Sequence, residues 1–131
     1  MDVFKKYATD EKLEEDGTWT EIGPGARLLV ARLGNPRYRA AFKRLSRPYQ
    51  AQIDRNSLPE EIQEQILIKA VAETVLLGWE GIEEGGQPLP YSKEAALRLL
   101  TELKDFRDDV LTLARQAEAY RMQALEEAVK N

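Results

Sequence analysis

Two clusters of carboxylates are the first residues whose types and spacing could do chemistry. Asp105, Asp108 and Asp109 stand close enough in one segment to chelate a divalent cation, and Glu60, Glu61 and Glu64 form a second such group. Both clusters also fall where the first turn of a helix is expected, and acidic side chains collect there because they oppose the positive end of the helix dipole. The dipole explains both, so no metal site is assigned. Ser46, Ser57 and Ser92 are the hydroxyls considered as nucleophiles, but the chain contains no His and no Cys to activate or replace them. The same absence removes disulfides and Cys/His zinc sites. Gly23-Pro24-Gly25 and Gly85-Gly86 lack the Lys-Ser/Thr pair that completes a phosphate loop. With no catalytic residue and no cofactor site to assign, the chain reads as a non-enzymatic interaction protein.

Charge is the next candidate for function. A net charge of −4 conceals segregation: residues 27–55 hold eight cations against one acid, and residues 56–84 hold seven acids against one cation. The basic block is Arg27, Arg32, Arg37, Arg39, Lys43, Arg44, Arg47 and Arg55, and opposite blocks can neutralise one another within a subunit or between copies. Tyr38, Phe42 and Tyr49 interleave with these cations, a composition that suits nucleic acid because cations meet phosphates and rings stack on bases. Those rings, however, lie on the stripe a helix must bury, and an isoelectric point near 5.0 is opposite to the usual footprint. A small nucleic-acid-binding regulator using residues 27–55 stays the alternative reading, with nucleic acid the weaker partner.

The elements that must position these groups are mainly helical. At 131 residues the chain fits a single domain, with no apolar run near the roughly 18–20 residues needed to span a bilayer. Nor does its start resemble a signal peptide, so an intracellular protein without a membrane partner is expected. Residues 1–16 are a polar lead-in. Asp16-Gly17 and Gly23-Pro24-Gly25 are turn signals around Thr18–Ile22, whose β-branched and aromatic residues alternate with polar ones, and a β-hairpin is expected over about 17–33. Asn35 then caps a basic helix over 36–55, with Pro36 at its first position and a kink at Pro48. Tyr38, Ala41, Phe42, Leu45, Tyr49 and Ile53 form its stripe.

Ser57-Leu58-Pro59-Glu60 matches a capping box, which starts a central helix over 59–77 that is apolar nearly all round and ends at Gly78. The 79–90 stretch is a turn-rich loop with a tiny hairpin over Gly85-Gly86. Trp19 and Trp79 stand beside turns and are read as edges of the core, with an interface anchor as the alternative for each. Ser92 caps a C-terminal helical region over 93–129 with a bend near 102–105, where Asp105 and its neighbours suit a new first turn. Residues 92–131 contain no Gly or Pro, and Leu103, Phe106, Val110, Leu113, Ala117, Tyr120 and Ala124 step 3 and 4 alternately. That period of about 3.5 draws a narrow seam suited to docking along another helix, in this chain or a partner. The expected interface is therefore Arg37, Arg39, Lys43, Arg44 and Arg47 on the basic helix, Trp79, Glu80, Glu83 and Glu84 in the loop, and Leu113, Ala117, Tyr120 and Ala124 on the seam.

The order of several segments resembles the tail assembly chaperones of long-tailed, non-contractile bacteriophages and related prophages. These are Ala8–Glu11 with Glu14–Ile22, then Ala31-Arg32-Leu33-Gly34-Asn35-Pro36-Arg37-Tyr38, then Leu77-Gly78-Trp79-Glu80-Gly81-Ile82 followed by Pro88–Ala96. Each is loose alone; together they span nearly the whole chain. The resemblance implies a helical, non-enzymatic chaperone working in the host cytoplasm and absent from the mature virion. Its partners would be the tape-measure protein, which it keeps soluble, the tail-tube protein, which it helps recruit, and further copies of itself in an open or spiral oligomer. The basic helix would then meet Glu80, Glu83, Glu84 or the amino-terminal acids of a neighbouring copy, a heterologous contact that propagates.

Overall fold

The computed structural model describes residues 1–122. Its lead-in is two short helices, α1 (Val3–Tyr7) and α2 (Glu11–Asp16), each started by an aspartate: Asp2 accepts from the Phe4 and Lys5 amides, and Asp10 from that of Leu13. Gly17 ends α2 at φ +85°, and a Cβ there would stand 3.1 Å from the Val30 backbone. β1 (Thr18–Gly23) and β2 (Ala26–Val30) form the antiparallel hairpin, in register Thr18 with Val30 and Thr20 with Leu28. Asn35 follows, almost wholly buried; its Oδ1 accepts from the Tyr38 amide and its Nδ2 donates to the Arg32 carbonyl. One side chain thus starts α3 (Pro36–Ser46) and ties it to the hairpin exit. Pro48 splits the basic segment, which passes through a 3-10 turn (Arg47–Tyr49) into α4 (Gln50–Asp54).

The central helix, α5, runs Glu60–Thr74 and departs from expectation at both ends. Pro59 occupies its N-cap without a side-chain hydrogen bond, while the Ser57 hydroxyl donates to the Gln52 carbonyl, so there is no capping box. At the other end the apolar run continues past Thr74 as a strand, β3 (Leu76–Glu80), pairing antiparallel with β2 to give the order β1-β2-β3. Gly78 lies inside this strand, so it does not end the helix. Hydrophobicity without alternation does not separate a buried helix from a buried strand, and the partner that decides it is β2, almost fifty residues earlier. β4 (Glu83–Glu84) and β5 (Gln87–Pro88) are the tiny hairpin over Gly85-Gly86.

Ser92 caps α6 (Lys93–Glu102) through the Ala95 amide, and Leu103 breaks it from α7 (Lys104–Arg115) with extended dihedrals. The Arg107 guanidinium donates to the Leu100 carbonyl across the break, and also pairs with Glu64 of α5 at 3.0 Å. A 3-10 turn (Ala117–Tyr120) then brings Arg121 against Thr9 as an isolated antiparallel bridge. The seam of 3- and 4-residue steps is therefore not one continuous helix: it begins at the Leu103 break, where the expected bend lies, and is interrupted at Gln116. The helices cover one face of the sheet, where Leu28, Val30, Val71, Val75, Leu76, Leu100 and Val110 are wholly buried. α5 lies between α3 and α6 at the centre of this layer. Among the described residues no helix is long and apolar enough to cross a membrane.

Candidate protein-docking surface

The groups singled out for chemistry disperse in the fold. Glu60 and Glu61 lie in the first turn of α5 and Asp105 in that of α7, and among the described residues no three carboxylates gather into a metal-sized cluster. Ser92 and Ser57 are occupied by backbone, as above. Ser46 differs: it is only 7% exposed, and its hydroxyl has no hydrogen-bond partner among the described residues.

Ser46 stands in the wall of a groove between α3, α4 and the start of α5, with Phe42, Ile53, Asn56, Leu58, Gln63 and Ile66 around it. The local sequence explains why the groove exists. Pro48 stops α3 before its apolar stripe can close, and Asn56 at φ +53° reverses the chain, a conformation asparagine tolerates better than most residues. Phe42 and Ile53 are consequently left 38% and 36% exposed, while Ile66 beneath them is buried. Phe42 is steadied by Tyr38, ring to ring at 5.7 Å. At about 270 Å³ the groove is below the roughly 300–1,000 Å³ of small-molecule sites, and its size suits a few apolar side chains.

Of the residues expected at an interface, many are engaged inside the subunit. Arg44 pairs with Glu73 at 2.6 Å, and Arg37 lies 3.8 Å from both Glu15 and Asp16. In the loop, Glu80 pairs with Arg27 at 2.7 Å and Glu84 takes both amino groups of Arg98 at 2.7 and 2.9 Å. The hydrogen bonds from these arginines hold the Glu80 and Glu84 carboxyls below their ordinary range. Trp79 is 6% exposed, donates its indole N–H to the Leu89 carbonyl and meets Tyr91 edge-on at 5.0 Å, which makes it a core residue rather than an anchor.

Tyr120 is fully buried and donates to the Val30 carbonyl at 2.9 Å, and burial pushes its phenol up to about 12. Leu113 and Ala117 are half-buried against their own chain, and Ala124 lies outside the described residues. Arg39, Lys43, Arg47 and Glu83 are exposed, with no ion pair among the described residues. Sequence reasoning counted Phe42 and Ile53 as core and so missed the groove. The signal was Pro48, which parts the two halves of the stripe.

Comparison with known proteins gives a provenance for this arrangement. The sequence model described as YdaY prophage protein matches residues 33–131, from the exit of the hairpin to the end of the chain. No curated protein and no solved structure matches. By that match over most of its length, the chain belongs to the YdaY prophage protein family.

Proposed function

We propose that this prophage protein is a non-enzymatic tail assembly chaperone: it holds helical segments of the tape-measure protein, keeps them soluble, and helps recruit tail-tube subunits as the tube grows. The observation behind this is the α3/α4/α5 groove, which leaves Phe42 and Ile53 exposed beside a helix bearing Arg39, Lys43 and Arg47, none of them in an ion pair among the described residues. A groove of this kind suits the apolar face of an amphipathic helix. The order of motifs along the chain supports the same reading. In it the protein acts in the host cytoplasm, forms open oligomers, and leaves before the virion is complete.

Self-association through Glu80 and Glu84 is weakened by their commitment to Arg27 and Arg98, whereas Glu83, Glu11 of the amino-terminal lead-in, Glu60 and Glu61 of α5 and the α7 acids are exposed without an ion pair among the described residues and available to a neighbour. The nucleic-acid alternative is weakened too, because Arg27, Arg32, Arg37 and Arg44 each meet a carboxylate of their own chain. Co-expression with the tape-measure protein of the same prophage tests the proposal. A soluble complex is expected, and a tape-measure protein that stays aggregated and never co-purifies would count against it. Mass spectrometry of purified virions separates a chaperone, absent there, from a permanent structural component.

A further inference from the structure

We infer that the α3/α4/α5 groove selects its client by charge: it takes an amphipathic helix whose apolar stripe is bordered by carboxylates and includes a polar side chain opposite Ser46. This rests on the chaperone reading and narrows a helical client to an acidic one.

Three observations lead there. The first is the placement of cations. Arg39 is three residues before Phe42, and Lys43 three before Ser46, so both neighbour the groove-lining positions on the surface of α3. Both are exposed and have no ion pair among the described residues, whereas Arg44, on the other side of the helix, is neutralised by Glu73. Second, none of the seven groove-lining residues is acidic, so an incoming carboxylate meets no like charge in the walls. Third, Ser46 is a buried hydroxyl without a partner among the described residues. Helical serines ordinarily bond back to the carbonyl one turn earlier, and an unsatisfied buried hydroxyl is costly to keep. Neither polar side chain of the same lining, Asn56 or Gln63, bonds to it, and the Gln63 amide donates instead to the Leu58 carbonyl. Rotation of the Ser46 side chain about χ1, from its present inward orientation into the groove it lines, would let a polar group on the docked helix complete it, and the apolar residues around it would exclude water from that bond.

The test is fluorescence anisotropy with the full chain and labelled helical peptides of about 20 residues. One peptide has a leucine stripe containing one glutamine and flanked by glutamates; a second has lysines in place of the glutamates; a third has the glutamates with the stripe scrambled. The first is expected to bind at least tenfold tighter than either of the others, and its affinity is expected to fall as salt rises. Arg39→Glu with Lys43→Glu should reverse the preference between the first two. Ser46→Ala should remove the advantage of glutamine over leucine in the stripe without lowering the melting temperature.

Phe42→Ser should abolish binding; if that variant does not fold, the doubly reversed variant, changed only at exposed positions, decides the matter. Equal binding of acidic and basic peptides would overturn the inference, as would binding indifferent to both sets of substitutions. So would sedimentation showing that Phe42→Ser dissolves an oligomer, since the groove would then hold a second copy. Loss of charge preference with tape-measure solubility still rescued would sink this inference alone. Charge preference without rescue would sink the chaperone reading alone.

Discussion

Strand β3 with the loop after it and the α3/α4 side of this molecule start from similar material, charged residues interleaved with aromatics, and finish in opposite states. On the sheet side Trp79 is sealed by Tyr91 and Leu89, while Glu80 and Glu84 are each met by an arginine. On the helical side Phe42 and Ile53 keep a third or more of their surface in water, beside cations that have no partner among the described residues. The cause is backbone. Strand pairing fixes neighbours in register, so Arg27 lies directly opposite Glu80, and a hydrogen-bonded sheet leaves little slack. A helix interrupted at Pro48 has no such constraint, and its stripe stays open where the two halves diverge. Charge composition alone therefore does not mark an interface; what matters is whether the fold has already supplied the counter-charge.

This contrast predicts that the closed side pays in stability and the open side in binding. Trp79→Ala should cost the most, about 3–5 kcal/mol by urea denaturation, because a buried indole leaves a cavity and an unmet Leu89 carbonyl. Gly81→Ala comes next, at roughly 2–4 kcal/mol, since Gly81 sits at φ +72° and a Cβ would overlap the Gly25 carbonyl oxygen. Tyr120→Phe should cost about 1–2 kcal/mol by deleting the bond to Val30.

Tyr120 also sets an alkaline limit. Its folded pKa, about 12, lies above the ordinary tyrosine value near 10, so its contribution is whole below about pH 10 and is lost as pH rises toward 12. That loss amounts to about 3 kcal/mol, with Tyr38 and Tyr91, also raised by burial, adding to it. Denaturation midpoints at several pH values should show the fall, and Tyr120→Phe should flatten it. Smallest in stability is Arg39→Glu with Lys43→Glu, within about 0.5 kcal/mol of wild type, yet these changes should weaken client binding tenfold or more. If Trp79→Ala were tolerated while the α3 reversals unfolded the protein, the contrast between the two sides would be wrong.

The parts of this architecture visible in the sequence are those set by local chemistry. The hairpin followed from its turn residues, α3 from Asn35-Pro36, α6 from Ser92, and the small hairpin from Gly85-Gly86. The parts not visible depend on distant partners. β3 looked like the end of a helix because only β2 makes it a strand, and Gly78 looked like a stop signal although it pairs with Leu29 inside the sheet. The capping-box pattern failed because Pro59 takes the cap position. The seam found residues that are buried, Val110 and Tyr120 among them, but period alone does not show that a helix is continuous: Tyr120 reaches the Val30 carbonyl after a break at Gln116. For the docking surface, the cations were legible by type. Which of them stay unpaired depends on Glu15, Asp16, Glu73 and Glu80, whose positions follow from the tertiary fold.

The most direct test of the central claim is the soluble yield of the tape-measure protein co-expressed with wild-type chain and with the Phe42→Ser, Arg39→Glu, Lys43→Glu variant, each chaperone checked to be folded. The account predicts a soluble complex with wild type and aggregated tape-measure protein with the variant. Equal yields from both would contradict it.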